Sequence, residues 1–411
     1  MRQPEVTADE AGAAQRLTNV LRWVHMTHLV DFMIFMPLGP QLLRTFDMPL
    51  TALGQLIFAY TVSAGVAGLA LGATLHRFSR RRLLLGVYAG FAVSLLLTVT
   101  ASGFGALLLA RVIAGACGGV LSSLVQATVA DYVPLERRAA ALGTVMTGHA
   151  LASVIGVPLG LAVASASSWR ASFALVLVLV VPLMIAIARH VPGVAPAAHA
   201  PEAAGAASGL STRLRGLAAL SPAFALTFAV SASAYALGSY FAPYWVGNVG
   251  VSEAELPFVF LASGALSLFT SPRIGRLADR WGRLQVFTGA ALLSLPIIAF
   301  MSRSGPLPLW LAVVLGAGFF VIVYGRWIPA LALLSEWPSA SQRGGFMMVN
   351  GVVTQLSMGV GALAAGAMIA FDESGRVSGF ERVGDMAIVV TVLAMVIAWL
   401  LARRMARRAP R

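Results

Sequence analysis

One carboxylate stands apart from the other acids of this sequence. Of 16 acidic residues, Asp31 alone lies deep inside an apolar run. It stands nine residues beyond Arg22, roughly 13 Å along a helix at about 1.5 Å per residue. Enclosure there disfavours the charged form, which makes Asp31 a natural reversible proton site. His28 lies one turn earlier on the same face, and His25 one turn before that. Such Asp/His chains suit proton relays; the alternative is a structural hydrogen bond to a neighbouring helix. Two arginines also fall within apolar runs. Arg111 lies within two turns of a predicted end, so it either serves function or snorkels to the interface. Arg326 is at least a full turn inside both ends of its run. Either could tune the proton affinity of Asp31 or meet charge on a substrate. Tyr235, Trp327, Asn350, Gln355 and His149 add aromatic and polar groups within other apolar runs. Aromatic walls with a few polar groups suit amphipathic small molecules, although Tyr244 and Trp245 read more simply as interface anchors.

The elements that hold these residues must sit in lipid. The chain has 411 residues, 58% hydrophobic and 11% charged, with mean hydropathy +0.84; soluble domains carry about 25% charged residues. Hydropathy and chain breakers predict twelve helices at 22–43, 51–75, 83–101, 105–130, 139–164, 171–189, 218–246, 254–276, 284–302, 307–333, 345–370 and 384–404. Residues 1–21 form a polar N-terminal tail, and 405–411 a basic C-terminal one. Between the halves, 190–217 is rich in Ala, Pro and Gly and reads as a flexible linker. The bundles are therefore 22–189 and 218–404. All 29 basic residues are Arg, and they concentrate in alternate loops, which places both termini in the cytoplasm. The net charge of +13 reflects topology and not nucleic-acid binding. Cys117, alone, offers neither a disulfide nor a metal site. No phosphate-binding Gly-Lys-Ser/Thr loop, metal-ligand cluster or nucleophile motif is visible. No enzyme and no cofactor are expected; protons are the expected coupling ion.

The halves repeat. Gly72, Arg77 and Arg80 match Gly275, Arg280 and Arg283 at one fixed offset, and Pro40 matches Pro243 at the same offset. Asp131, Arg138 and Gly156 match Glu336, Arg343 and Gly361 two residues further apart. The second loop reads Gly275-Arg-Leu-Ala-Asp279-Arg280-Trp-Gly282-Arg283; its first copy carries His76 in place of the acid and Ser79 in place of the second Gly. Glycine permits the tight turn, and the acid can pair with Arg or a helix N-terminus. The alternative is a pure topology anchor. The fourth predicted helix holds Arg111-Val-Ile-Ala-Gly115, and the fifth holds Gly148-His149 followed by Gly156-Val-Pro158-Leu-Gly160.

These motifs resemble those of the major facilitator superfamily, and within it the twelve-helix drug:proton antiporter family, including its sugar-efflux-like bacterial members. The fifth-helix match is partial, with the proline one place late. The resemblance implies an all-α membrane protein of twelve transmembrane helices in two six-helix pseudo-symmetric bundles, with a midplane substrate site between them. It implies a conformational latch at Gly275, Asp279, Arg280, Gly282 and Arg283, with Arg77 and Arg80 as weaker counterparts. Arg326 would then face the substrate path. The expected function is proton-coupled efflux of a small amphipathic molecule by alternating access. Asp31, His28 and Arg111 would carry the coupling, in a monomer of the bacterial inner membrane. Uptake or facilitated passage is the alternative, and a non-transporting sensor is another from a different class.

Overall fold

The computed structural model describes residues 8–72, 79–193, 220–338 and 342–408. Arg77, His76 and nearly all of the expected linker lie outside them. The first half comprises α1 (Ala8–Phe35), a short α2 (Gly39–Thr45), α3 (Leu50–Gly72), α4 (Arg80–Val99), α5 (Phe104–Tyr132), α6 (Leu135–Leu151), α7 (Val157–Ala166) and α8 (Trp169–His190). The second comprises α9 (Ser221–Gly238), a short α10 (Phe241–Tyr244), α11 (Leu256–Trp281), α12 (Arg283–Met301), α13 (Leu309–Phe319), α14 (Trp327–Glu336), α15 (Arg343–Gly366) and α16 (Phe380–Arg408). Before α16, Ala370–Phe371 and Val377–Ser378 pair as a two-residue antiparallel ladder, the one departure from an all-helical chain among the described residues.

Eleven stretches among the described residues are long and apolar enough to cross a bilayer. The remaining long helix, α1, has 28 residues, but Arg22, His25, His28 and Asp31 lower its apolarity. Its limits differ from the expected 22–43. It begins at Ala8, where Ala, Glu, Gln and Arg favour helix, and ends before Met36-Pro37-Leu38. Pro37 offers no backbone N–H to continue the ladder, and Pro40 restarts a helix in its first turn. Large apolar side chains such as Leu96, Val178, Phe269 and Val389 face outward, a surface that only lipid can cover.

Three spans contain π-helical turns. A π-helical turn at Ala152–Gly156 joins α6 to α7 just before Pro158, absorbing the hydrogen bond that proline cannot make. Others occupy Trp245–Val249 after α10 and Phe320–Tyr324 after α13. The two halves meet along α3 with α15, and along α11 with α7 and the turn preceding it. These two seams are internally matched. Gly359 abuts Thr61 and Phe58, while Gly264 abuts Ser153 and Val154. Thr61 and Gly264 share the sequence offset of Pro40 and Pro243; Val154 and Gly359 share that of Asp131 and Glu336.

The core is asymmetric along the membrane normal. One apolar cluster runs through both halves, including Leu38, Leu53 and Leu121 of the first with Phe241, Trp245 and Phe380 of the second. A second, containing Leu220, Phe287, Leu333 and Leu401, belongs to the second half alone. The halves are thus sealed at the face remote from the chain ends. There Arg44 also pairs with Glu253 at 2.5 Å.

Candidate functional site

A cavity of about 810 Å³ lies between the halves. Its lining runs from Met36 and Ala242 near the sealed face to Leu69, Gln126, Ser267 and Met347 towards the ends of α3, α5, α11 and the start of α15. Leu69, Met347 and Met348 are well exposed, so the cavity opens towards the face that carries the chain ends.

Asp31 lies behind the cavity wall and does not line it. Its carboxylate is fully buried and takes a two-pronged grip from Arg111, with Nη2 to Oδ1 at 2.8 Å and Nη1 to Oδ2 at 3.2 Å. Arg111 Nη2 also donates to Thr98 Oγ1 at 3.3 Å. Arg111 therefore turns inward and does not snorkel. Three rings enclose its guanidinium, with centroids at 4.7 Å (Phe35), 5.6 Å (Phe173) and 5.8 Å (Tyr60). Bidentate charge-assisted pairs of this kind are strong and directional, and aromatic faces add attraction for the cation.

His28 stands one helical turn before Asp31 on α1 and lines the cavity. Its Nδ1 lies 3.2 Å from the Val24 carbonyl oxygen, which can only accept. Nδ1 therefore carries the proton, and Nε2 accepts from Ser122 Oγ at 3.1 Å. The His25 ring is 5.0 Å away. His149 lines the same cavity.

The second half answers Arg111 with Arg326, but without a carboxylate. Its guanidinium is buried and donates to the hydroxyls of Ser233 (2.7 Å), Thr391 (2.8 Å) and Ser294 (3.2 Å). Each hydroxyl in turn donates to a carbonyl of its own helix, at Ala229, Ala387 and Ala291, so their oxygen lone pairs converge on the cation. Arg326 thus does not face the substrate path as expected. The break at Gly325 turns it behind Tyr324, towards α9, α12 and α16. Two other expected cavity residues also lie elsewhere. Asn350 is buried and accepts from Thr227 Oγ1 at 2.6 Å, and Trp327 packs on the apolar cluster of the second half. Tyr235, Gln355 and His149 do line the cavity.

The loop motifs meet in matched ion pairs. Arg80 pairs with Asp131 at 2.5 Å in the first half, and Arg283 with Glu336 in the second. Gly282 has φ +95° and closes the turn between α11 and α12, a conformation that favours glycine. Arg280 and Asp279 are exposed, and Asp279 makes no ion pair among the described residues. Its expected charge contact is thus absent among the described residues. Gly275 has open space around it and serves no close approach. On the fifth span Gly148, Gly156 and Gly160 let α6 and α7 lie tightly on α1, against Arg22, Val30 and Ile34 respectively.

Two features were not anticipated from the sequence: the Arg44–Glu253 closure, and the part of Phe32 and Tyr60 in an aromatic floor of which Tyr235 alone was expected. Phe32 stacks on Tyr60 at 4.9 Å and meets Tyr235 of the other half at 6.3 Å. Phe32 and Tyr235 share the offset of Pro40 and Pro243, a signal that could have located them.

Comparison with known proteins agrees with this architecture. The sequence profile of the Major Facilitator Superfamily matches residues 23–327. A protein of Mannheimia succiniciproducens named "Probable sugar efflux transporter" is 27% identical over 296 residues, 71% of this chain and 70% of the relative. Among solved structures, a bacterial homolog to the human lysosomal transporter Spinster, in an inward-facing and occupied conformation, superposes with TM-score 0.77. It is 15% identical and covers 95% of this chain and 97% of the other. The nucleoside transporter NupG gives TM-score 0.71 at 14% identity, covering 97% of this chain and all (100%) of its own. With its paired bundles, matched seams and central cavity, the chain is a multi-pass membrane transporter of the Major Facilitator Superfamily.

Proposed function

We propose that this transporter exports a small amphipathic molecule in exchange for protons by alternating access, with α1 as the twelfth span and both termini in the cytoplasm of a bacterial inner membrane. The observation that carries this reading is the buried Asp31–Arg111 pair, set one helical turn from a histidine that reaches the cavity. While Asp31 is ionised, the pair is neutral and grips α1 to α5. When Asp31 takes a proton, its hold on Arg111 weakens, and the rings of Phe35, Phe173 and Tyr60 remain to stabilise the cation. Protonation turns this net-neutral pair into a buried guanidinium without a carboxylate, so it destabilises the arrangement described here and favours a rearranged one in which Arg111 gains other partners. His28, tied to Ser122, is the group through which the proton passes between cavity and carboxylate. Export is favoured over uptake by the name of the Mannheimia succiniciproducens relative and by the Gly/Pro-bent fifth span. Asp279, unpaired in this state, acts as a latch for the state in which this face closes.

The test is flux in proteoliposomes loaded with a pH-sensitive dye. Substrate added on the face of the chain ends should release protons when a gradient is imposed, and Asp31→Asn should abolish this while retaining substrate exchange. Full gradient-driven transport by Asp31→Asn would refute the assignment of the coupling carboxylate.

A further inference from the structure

The cavity wall has an unusual charge economy. Among the described residues no Asp, Glu or Arg lines it, and the chain has no Lys. The two arginines nearest in depth are both spent, Arg111 on Asp31 and Arg326 on three hydroxyls. A permanent cation in the cavity would find no carboxylate, and a permanent anion no guanidinium. An anion would lose hydration without a partner, a large penalty in a low-dielectric site; a cation would have ring faces alone, worth about 0.5 to 2 kcal/mol each, to set against the same loss.

Much of the hydrogen-donating capacity is already committed. Ser123, Ser153 and Ser263 donate to carbonyls of their own helices, at Val120, Ala150 and Val259. Ser122 serves His28, and the Gln126 amide donates to the Ser122 carbonyl. Among the described residues Tyr60, His149, Tyr235, Ser267 and Gln355 line the cavity without a side-chain hydrogen bond. A polyol would bury without a donor every hydroxyl that these few groups do not reach, each at about 1 to 3 kcal/mol.

What the cavity offers in quantity is aromatic and thioether surface. Tyr60, Phe32, Tyr235, Tyr324 and Phe320 form an unbroken run of rings across the boundary between the halves, at successive centroid distances of 4.9, 6.3, 5.6 and 5.4 Å. Five methionines add polarizable, adaptable contact.

We infer that the cargo is an uncharged, ring-bearing molecule with only a few hydrogen-bonding groups, stacked on the Phe32/Tyr235 floor, and not a free sugar. This rests on reading the cavity as the cargo site. Binding to the purified full-length protein in detergent, measured by equilibrium dialysis without any proton gradient, tests it. The probes are 7-methoxycoumarin (neutral aromatic), lactose (polyol), tetraphenylphosphonium (cation) and naphthalene-2-sulfonate (anion). 7-Methoxycoumarin should bind at least about tenfold more tightly than each of the others. Tyr235→Ala should weaken it about tenfold, whereas Tyr235→Phe, which keeps the ring, should not. Gln355→Glu should bring tetraphenylphosphonium binding up towards that of the neutral probe. No binding of 7-methoxycoumarin, tighter binding of lactose or a charged probe, or an unchanged affinity in Tyr235→Ala would overturn the inference. Proton-driven flux of lactose would leave the exporter standing and sink this cargo class. The expected binding pattern without proton-linked flux would do the reverse.

Discussion

Removing one charge of the Asp31–Arg111 pair should cost far more than removing both. Each partner is almost wholly enclosed, and Asp31 holds Arg111 through both carboxylate oxygens. Breaking a buried pair by deleting one member leaves the other uncompensated, at about 3 to 5 kcal/mol. Asp31→Asn should fall at the lower end, near 3 kcal/mol, because its side-chain oxygen can still accept from the charged Nη2, a hydrogen bond worth about 1.5 to 3 kcal/mol. Asp31→Leu should approach 5 kcal/mol, because no acceptor remains in that place. Arg111→Met alone should cost a similar amount. The double variant Asp31→Leu with Arg111→Met should recover most of the loss, since apolar replacements of buried pairs are often neutral, while proton-linked transport stays absent. The coupling energy from this cycle should exceed about 2 kcal/mol. Reversible unfolding in mixed micelles, followed by helical circular dichroism, measures all four proteins. Additive single-variant losses, with coupling below about 0.5 kcal/mol, would refute the pair as a unit. The chain already holds one buried guanidinium without a carboxylate, at Arg326, so the Asp31 variants should still fold, and Arg111→Met can leave Asp31 neutral by taking up a proton.

Three further outcomes follow from the geometry. Gly264→Val should cut transport about tenfold or more, because its Cβ would stand 2.8 Å from the Ser153 carbonyl oxygen on the seam; Gly289→Val, in open space, should leave flux unchanged, and equal effects would exclude a steric seam. Asp279→Asn should slow transport with binding intact and raise the fraction of molecules open at the face of the chain ends, read by spin-label distances between α5 and α15; an unaltered distribution would remove Asp279 from the latch. Asp372 accepts from the Ser374 hydroxyl and the Ser374 and Arg376 amides, which holds its carboxyl below the usual range. The order it lends to the 370–378 hairpin is present above its ordinary value of about 4 and lost as pH falls through the lowered one, so amide exchange at Ser374 and Arg376 should accelerate only in strong acid and not in Asp372→Asn.

Much of the architecture could be read from apolar run lengths, and the repeat offset predicted a spatial equivalence: Arg80–Asp131 and Arg283–Glu336 are matched ion pairs in matched places. Asp31 and Arg111 were each visible as isolated polar residues in apolar runs. Their union was not, because 80 positions separate them and no spacing rule links different helices. Arg326 and Asn350 were misplaced for a related reason. Depth in a span follows from counting residues, whereas the face a residue presents depends on the local backbone, and the turn at Phe320–Tyr324 with the break at Gly325 rotates Arg326 away from the cavity. The first helix was displaced at both ends, since its first turns are rich in Ala with Glu, Gln and Arg and read as a polar tail, and Pro37 ends it early. The Arg44–Glu253 closure involves two ordinary loop charges whose meaning exists only when the bundles meet.

The contact between Phe32 and Tyr235 has a consequence for how this protein can change over generations. The halves are parallel repeats related by an axis along the membrane normal, and Phe32 and Tyr235, at equivalent positions, face each other across the boundary between them. If the halves rock about this contact, a substitution at Phe32 or Tyr235 acts on both orientations alike and alters which molecules are held without altering the balance between orientations. A substitution at Arg44 or Glu253 touches one orientation only and shifts that balance. Selectivity and cycling bias can therefore be selected independently. Variants that acquire a new cargo should carry their changes on the ring floor, and variants adapted to a weaker driving gradient should carry theirs at the closing pair.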